Sequence, residues 1–446
     1  MQLSKKEIFV TGLALLAMFL GAGNLIFPPM LGFNAGTDLW WAAAGFIMTG
    51  VGLPLLGVTA VARAGGDLEY LANRVHPLFS KIVTTIVVLS IGPLLAIPRT
   101  AATTFEVAVT PFLQTAGQAA AQPALAVTTL VFFVATLLFA LRPSEITDNL
   151  GKLLTPLMVI FLGILIFKGV TAPIGTMGAG QYAAPLARGF LEGYNTMDAL
   201  ASVIFGLVIV NAVKAKGVTN NSEIARVTIL AGVIAAIGLS SIYTGLTYVG
   251  ATTGATFTGD NPGQMLTYIT EALIGPAGKF VIAVTMTLAC LTTAIGLVST
   301  CGAFFSRLSG NRVSYNVICV ITALVSLVLA NMGLSKILEL SVTLLVAIYP
   351  VIIVLVLLSL GHKLFKGKRE VYIASVSATV VVNLANTVNS IAAKTGIKLP
   401  VVGNALTYLP LHEQGLDWVI PAILMAFVGM IWRTGLDGSE ISDTKA

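Results

Sequence analysis

The sequence predicts an all-α integral membrane protein with twelve transmembrane helices, and three observations carry that prediction. Of the 446 residues, 56% are hydrophobic and only 10% are charged, with a mean hydropathy of +0.93. A soluble chain carries roughly 25% charged residues. Apolar stretches near the roughly 20 residues needed to cross a bilayer follow one another with short polar connections. They lie near 7–32, 38–62, 79–112, 123–141, 150–170, 187–213, 224–250, 277–307, 315–332, 334–360, 371–393 and 415–433. Lysines and arginines alternate from one connection to the next. With the N-terminus inside, 18 fall on the inner side and 6 on the outer side, and Arg99 remains within a span. Such a bias places basic loops in the cytoplasm, so both termini are expected there, in a multi-pass protein of the cell inner (plasma) membrane.

The first stretch follows Lys5 and Lys6, as a signal peptide would, but no small-residue cleavage site follows the apolar run from Ile8 to Met30. It reads as a retained helix. The third and eighth stretches are long enough to require tilt. Residues 66–77 read as a short amphipathic helix on the inner side. Residues 258–275 read as an outer loop with a partly embedded helix. The tail TGLDGSEISDTKA reads as disordered.

Several function classes drop out. The net charge of +6 sits in loops between apolar runs rather than on a basic patch with interleaved aromatics, so nucleic acid is not an expected partner. Cys290, Cys301 and Cys319 lie inside apolar stretches without metal-type spacing, and His76, His362 and His412 fall in loops. No disulfide framework or metal cluster is expected from them. No GxSxG or HExxH string occurs, so an enzyme is not expected.

The informative residues are those that a simple lipid-spanning helix would avoid. In the first stretch, Gly21-Ala22-Gly23-Asn24 is followed by Pro28-Pro29. Gly costs about 1 kcal/mol and Pro about 3 kcal/mol in a helix interior, and irregular backbone at membrane depth persists only where protein or a cavity satisfies it. Five stretches later, Glu192-Gly193-Tyr194-Asn195-Thr196-Met197-Asp198 interrupts a second helix. An odd separation inverts topology, and paired interrupted helices in inverted halves point to a transporter's midplane site. Helix-start N–H groups at such breaks suit a carboxylate, and freed carbonyls suit a cation. A channel fits the paired breaks poorly. In the eighth stretch, Thr292 and Thr293 either bond the preceding turn or offer a small cation two hard oxygens.

Arg99 and Glu106, seven residues apart, share a helix face. Arg99 has three open roles: the substrate's carboxylate, a gate, or a structural ion pair. For Glu192 a structural role is favoured. Asp198 is left open among an ion pair with Arg99, proton uptake and satisfaction by helix-start N–H groups.

The strings GAGNLIFPP, GPLLAIPRTA, GFLEGYNTMDALA and CLTTAIG resemble the bacterial branched-chain amino acid:sodium symporter family, across nearly the whole chain. That family in turn resembles the leucine-transporter fold, a known case of inverted repeats with broken helices. The resemblance implies a single domain, 1–446, with one repeat at about 7–170, a second at about 187–360 and two extra helices at about 371–433. Helices 1 and 6 would be the broken ones in a 5+5 inverted repeat. It implies symport of leucine, isoleucine or valine with sodium as coupling ion and no other cofactor. By motif, sodium would meet the carbonyls of Ala17, Leu20 and Ala289 and the hydroxyls of Thr292 and Thr293. The carboxylate would meet N–H groups at Ala22 and Gly23. The ammonium would meet carbonyls near Tyr194, Asn195 and Thr196. Asn24 matches an amide that in relatives helps to hold a second sodium. The alternative is a proton-coupled carrier of branched-chain or other neutral amino acids, using Asp198 or Glu106.

Overall fold

The computed structural model describes residues 3–113, 121–141, 145–254 and 256–432, except the side chains of 145–155. The tail expected to be disordered lies outside the described residues, as do Arg142, Arg433 and Lys445 of the charge count. All regular structure among the described residues is helical. In the first part of the chain run α1 (Lys5–Phe19), α2 (Ala22–Ala35), α3 (Leu39–Ile47), α4 (Leu53–Ala64) and α5 (Leu68–Asn73). Then come α6 (Pro77–Leu89), α7 (Ala96–Ala108), α8 (Ala121–Ala140) and α9 (Glu145–Thr171). The middle comprises α10 (Pro185–Glu192), α11 (Asp198–Ala215), α12 (Asn221–Ala251), α13 (Pro262–Ile274) and α14 (Pro276–Leu308). The last part comprises α15 (Tyr315–Ala330), α16 (Leu334–Leu360), α17 (Arg369–Lys394), α18 (Pro400–Thr407) and α19 (Val419–Ile431).

Among the described residues, eight helical segments are long and apolar enough to cross a membrane, with Ala22–Ala64 and Pro77–Phe112 each counted as one through its irregular turns. Three further apolar segments are shorter: Pro156–Thr171, the part of α9 whose side chains are described, and the helices Tyr315–Ala330 and Val419–Ile431. Large side chains such as Ile237, Phe280 and Val328 stand outward, more than 60% exposed. That is the surface a lipid environment wants.

The amphipathic segment expected at 66–77 is α5, capped by Asp67, whose side chain accepts the Tyr70 N–H. The outer helix expected within 258–275 is α13, capped by Asn261. The long third stretch is not one tilted helix. α6 passes through a π-helical turn at Ser90–Leu94, where Gly92 leaves helical geometry before Pro93, and α7 starts afresh at Ala96. A proline without an N–H and a glycine without a Cβ make that bend the cheaper solution. It carries Arg99 on the first turn of α7.

Two crossings hold the broken helices in place, and both are made by glycine. A Cβ on Gly32 of α2 would lie 1.8 Å from the Thr247 carbonyl of α12, and one on Gly250 would lie 1.9 Å from the Pro29 carbonyl. α3 and α10 repeat this pattern. A Cβ on Gly45 would meet the Leu186 carbonyl, and one on Gly189 the Ala42 carbonyl, each at 2.0 Å. Close backbone approach over small residues is the main packing device when lipid is as apolar as the side chains. A π-helical turn in the α3–α4 connection, Met48–Gly52, aims Thr49 at the second break, where its hydroxyl donates to the Phe190 carbonyl at 2.8 Å.

Gly250→Ala is expected to destabilise the protein by about 3 kcal/mol or more, because backbone must move to relieve the overlap. Gly296→Ala on α14, where a Cβ meets nothing within 4 Å, is expected to be neutral or stabilising by up to about 1 kcal/mol. Thermal midpoints of the purified variants in detergent check this; similar midpoints would refute the close α2–α12 crossing.

Candidate functional site

The first break begins where α1 ends. The Gly21 N–H does not continue the helix to Ala17. It bonds the Phe19 carbonyl at 2.7 Å and the Asn24 side-chain oxygen at 3.3 Å. Gly21 is extended (φ −101°, ψ −175°), and α2 starts at Ala22. The Ala17 carbonyl is thereby released from the bond a continuous helix would give it. The N–H groups of Ala22 and Gly23 belong to a helix's first turn, which has no partners within the helix. Pro28 and Pro29 differ from expectation: they lie inside α2, not in the break. Their missing N–H groups weaken the helix's own bonding at Asn24 and Leu25 without opening it.

The second break is a 3-10 turn, Gly193–Thr196, between α10 and α11. Met197 closes it in the left-handed region (φ 63°), which costs a non-glycine residue about 1–3 kcal/mol. The turn repays part of this with internal bonds. Thr196 Oγ1 donates to the Gly193 carbonyl at 2.9 Å, and the Met197 N–H to the Tyr194 carbonyl at 3.0 Å.

Buried side chains join the two breaks. Asn24 Nδ2 donates to Asp198 Oδ2 at 2.6 Å, and Tyr243 of α12 donates to the same oxygen at 3.0 Å. Asn24 also bonds the Tyr243 hydroxyl. Arg99 reaches both breaks from α7. Its Nη1 donates to the Asn195 carbonyl at 2.6 Å, and the guanidinium lies against Gly23, where a Cβ would come within 2.8 Å of Nη2. Its Cζ sits 5.4 Å from the centre of the Phe27 ring. Arg99 and Asp198 are 4% and 3% exposed.

Among the described residues, three buried polar atoms at this centre have no hydrogen-bond partner: Arg99 Nε and the hydroxyls of Tyr194 and Tyr349. The Tyr194 and Tyr349 rings stack at 4.3 Å and 24°. Buried donors are nearly always hydrogen-bonded, so these three are candidate contacts for a polar ligand. A cavity of about 300 Å³ shares Phe27 and Asn195 with this centre, and its lining also includes Glu192, Tyr182, Asp260 and Glu339.

The residues expected at the site are therefore partly assembled. Ala22, Gly23, Asn24, Arg99, Tyr194, Asn195 and Thr196 converge. The proposed ammonium acceptors change character, however. The Asn195 carbonyl is taken by a guanidinium, and the Tyr194 carbonyl by a backbone N–H. Among the described residues Arg99 forms no ion pair within 4.0 Å, so the structural pair considered with Asp198 is not made; Glu106, on the same helix face, accepts from Gln264 at 3.3 Å. Glu192 pairs with Arg188 at 2.7 Å and accepts from Asn195 at 2.8 Å, a structural role. The hydroxyls of Thr292 and Thr293 both donate to the Ala289 carbonyl, at 3.0 and 2.9 Å. A hydroxyl that gives its proton backward keeps its lone pairs outward. Thr293 faces the first break, where a Cβ on Gly21 would lie 3.8 Å from its Oγ1. Of the expected sodium ligands, then, Thr293 is next to the chain segment carrying Ala17 and Leu20.

Tyr243 and Tyr349 were not anticipated. Both sit in apolar stretches, and the only signals were SSIYTG around the first and the adjoining proline, Pro350, beside the second.

Two interrupted helices that meet at a buried polar centre, in a bundle with a lipid-type surface, define a membrane transport protein rather than an enzyme. Residues 4–435 match the model of the branched-chain amino acid transport protein family, and the chain belongs to that family. It is 44% identical over 430 residues to the branched-chain amino acid permease BraB of Bacillus subtilis (96% of this chain, 95% of the relative). It is 39% identical over 429 residues to the branched-chain amino acid transport system 2 carrier protein of Pseudomonas aeruginosa (95% of each). Among solved structures it resembles inward-facing Mhp1 (TM-score 0.65, 12% identity, covering 95% of this chain and 90% of that one). It also resembles MhsT solved in complex with L-phenylalanine (TM-score 0.59, 15% identity, 96% and 99%). At those identities the likeness shows the fold alone, the leucine-transporter-like arrangement that the motifs implied.

Asn24→Ala strips Asp198 of one donor, the Gly21 N–H of one of its two acceptors and the Tyr243 hydroxyl of a donor, and so unlinks the two breaks. Tyr243→Phe removes one donor to Asp198 and one acceptor for Asn24 but leaves the Asn24–Asp198 bond in place. At about 1.5–3 kcal/mol per hydrogen bond to a charged group, the alanine variant is expected to melt well below the phenylalanine variant. An Asn24→Ala protein that melts like the wild type would show that the bridge carries no load.

Proposed function

We propose that this protein is a secondary active transporter that brings leucine, isoleucine or valine into the cytoplasm together with sodium, by alternating access. Twelve spans, a 5+5 inverted repeat with two extra helices, and cytoplasmic termini complete the reading. The charge alternation and the positions of the two breaks support it. The observation that carries it is Arg99. One guanidinium, buried and with an unused donor, lies against the α2 N-terminus at Gly23 and bonds the second break at Asn195. A carboxylate between Arg99 and the N–H groups of Ala22 and Gly23 would give those donors their acceptor. The buried hydroxyls of Tyr194 and Tyr349 would gain a partner at the same centre.

Branched-chain selectivity is supported by the names of full-length relatives at 39–44% identity. An apolar pocket separates neighbouring side chains by only about 1–3 kcal/mol per methylene, so all three substrates fit one carrier. Sodium would sit among the carbonyls of Ala17, Leu20 and Ala289 and the hydroxyls of Thr292 and Thr293, neutral oxygens that let it leave again. A monovalent cation moving inward gains about 2.3 kcal/mol per 100 mV, enough to concentrate a zwitterion. The second reading, coupling to protons, rests on Asp198, the buried carboxylate at the break.

Uptake of labelled isoleucine into proteoliposomes separates the two. An inward sodium gradient is expected to drive uptake that a matched potassium gradient does not, and Thr292→Ala combined with Thr293→Ala is expected to reduce it to background. Sodium-independent uptake that follows a pH gradient would refute the ion site. Absence of isoleucine uptake under either gradient would refute the substrate assignment.

A further inference from the structure

Arg99 and Asp198 are both buried at the breaks, yet they do not form an ion pair with each other. Among the described residues no ion pair within 4.0 Å involves either one. Both belong to one centre: Arg99 bonds the carbonyl of Asn195, three residues before Asp198. Arg99 is held by a neutral carbonyl and has an unpartnered Nε. Asp198 is held by two neutral donors, Asn24 and Tyr243, both on Oδ2. Charges removed from water cost several kcal/mol each unless an opposite charge meets them, and intramembrane charges are found paired or in a functional pathway. Two opposite charges held apart across one site are completed by a ligand that carries both signs a few ångströms apart. An α-amino acid zwitterion has that form.

The backbone argues for the same orientation. An ammonium group placed at the Asn195 carbonyl would confront the guanidinium already bonded there at 2.6 Å, and the Tyr194 carbonyl is occupied by the Met197 N–H. The anionic group left at the break is the Asp198 carboxylate, on the first residue of α11.

We propose that Asp198 is the counter-charge for the substrate's ammonium group while Arg99 takes its carboxylate, so that the pair selects zwitterionic amino acids over analogues lacking either charge. This rests on the reading that a branched-chain amino acid binds at the breaks.

The test is competition against labelled leucine on purified full-length protein, with 4-methylpentanoate (leucine without its amino group) and 3-methylbutylamine (leucine without its carboxylate). Wild type is expected to prefer leucine to either analogue by about 100-fold or more, since a buried charge left unpaired is strongly disfavoured. Asp198→Asn is expected to lose about 30-fold or more in leucine affinity while binding 4-methylpentanoate no worse than wild type. Asp198→Glu keeps the charge and is expected to keep the preference for leucine; it decides the matter if the asparagine variant does not fold. A folded Asp198→Asn protein that binds leucine within about threefold of wild type, or a folded Asp198→Glu protein with no preference for leucine, overturns the proposal. A wild type that binds leucine no better than 4-methylpentanoate overturns it as well. A wild type that binds neither removes the branched-chain reading, and this proposal with it.

Discussion

The hydrogen bond from Asn24 to Asp198 spans 174 residues of sequence and closes a buried polar centre inside an otherwise apolar bundle. Its importance follows from where the chain is interrupted. Backbone groups freed at membrane depth find no water, so each break must be satisfied by protein. Asn24 serves both breaks at once: its oxygen takes the Gly21 N–H, and its amide holds Asp198 at the start of α11. Arg99 completes the centre from α7 by capping the Asn195 carbonyl. Remove this bridge, and two half-helix ends face each other with unmet polar groups in a medium that punishes them.

Packing makes the bridge possible. The breaks meet because the helices flanking them approach at backbone distance, with Gly32 and Gly250 on one crossing and Gly45 and Gly189 on the other. Both crossings use a reciprocal pair of glycines, each facing a carbonyl of the opposite helix. The π-helical turns at Met48–Gly52 and Ser90–Leu94 act in the same direction. One turns Thr49 onto Phe190 and the other turns Arg99 inward. Such irregular turns occur often at functional sites because they re-aim a side chain without ending the helix.

Much of this was legible in the sequence. Composition and the spacing of apolar stretches determine the helical membrane class, and the strings around Gly21 and Gly193 locate both breaks to within a residue or two. The prolines misled, because Pro28-Pro29 reads as a stop whereas α2 absorbs both; a helix already started can tolerate missing N–H groups that would have prevented its nucleation. The partners of Arg99 were not legible either. Glu106 shares its helix face, but the partner is a carbonyl 96 residues away, fixed by how α7 restarts after Gly92 and Pro93. Tyr243 and Tyr349 were invisible for a simpler reason: a tyrosine in an apolar stretch carries no sign of whether its hydroxyl faces a ligand or lipid headgroups.

The account stands on one claim, that the amino acid sits where the two breaks meet. A structure determined with leucine and sodium bound tests it most directly. The account predicts leucine's carboxylate within hydrogen-bond distance of Arg99 and the α2 N-terminus, with its ammonium toward the second break. Leucine held instead in the cavity lined by Phe27, Glu192 and Glu339, with Arg99 still bonded only to Asn195, would contradict it.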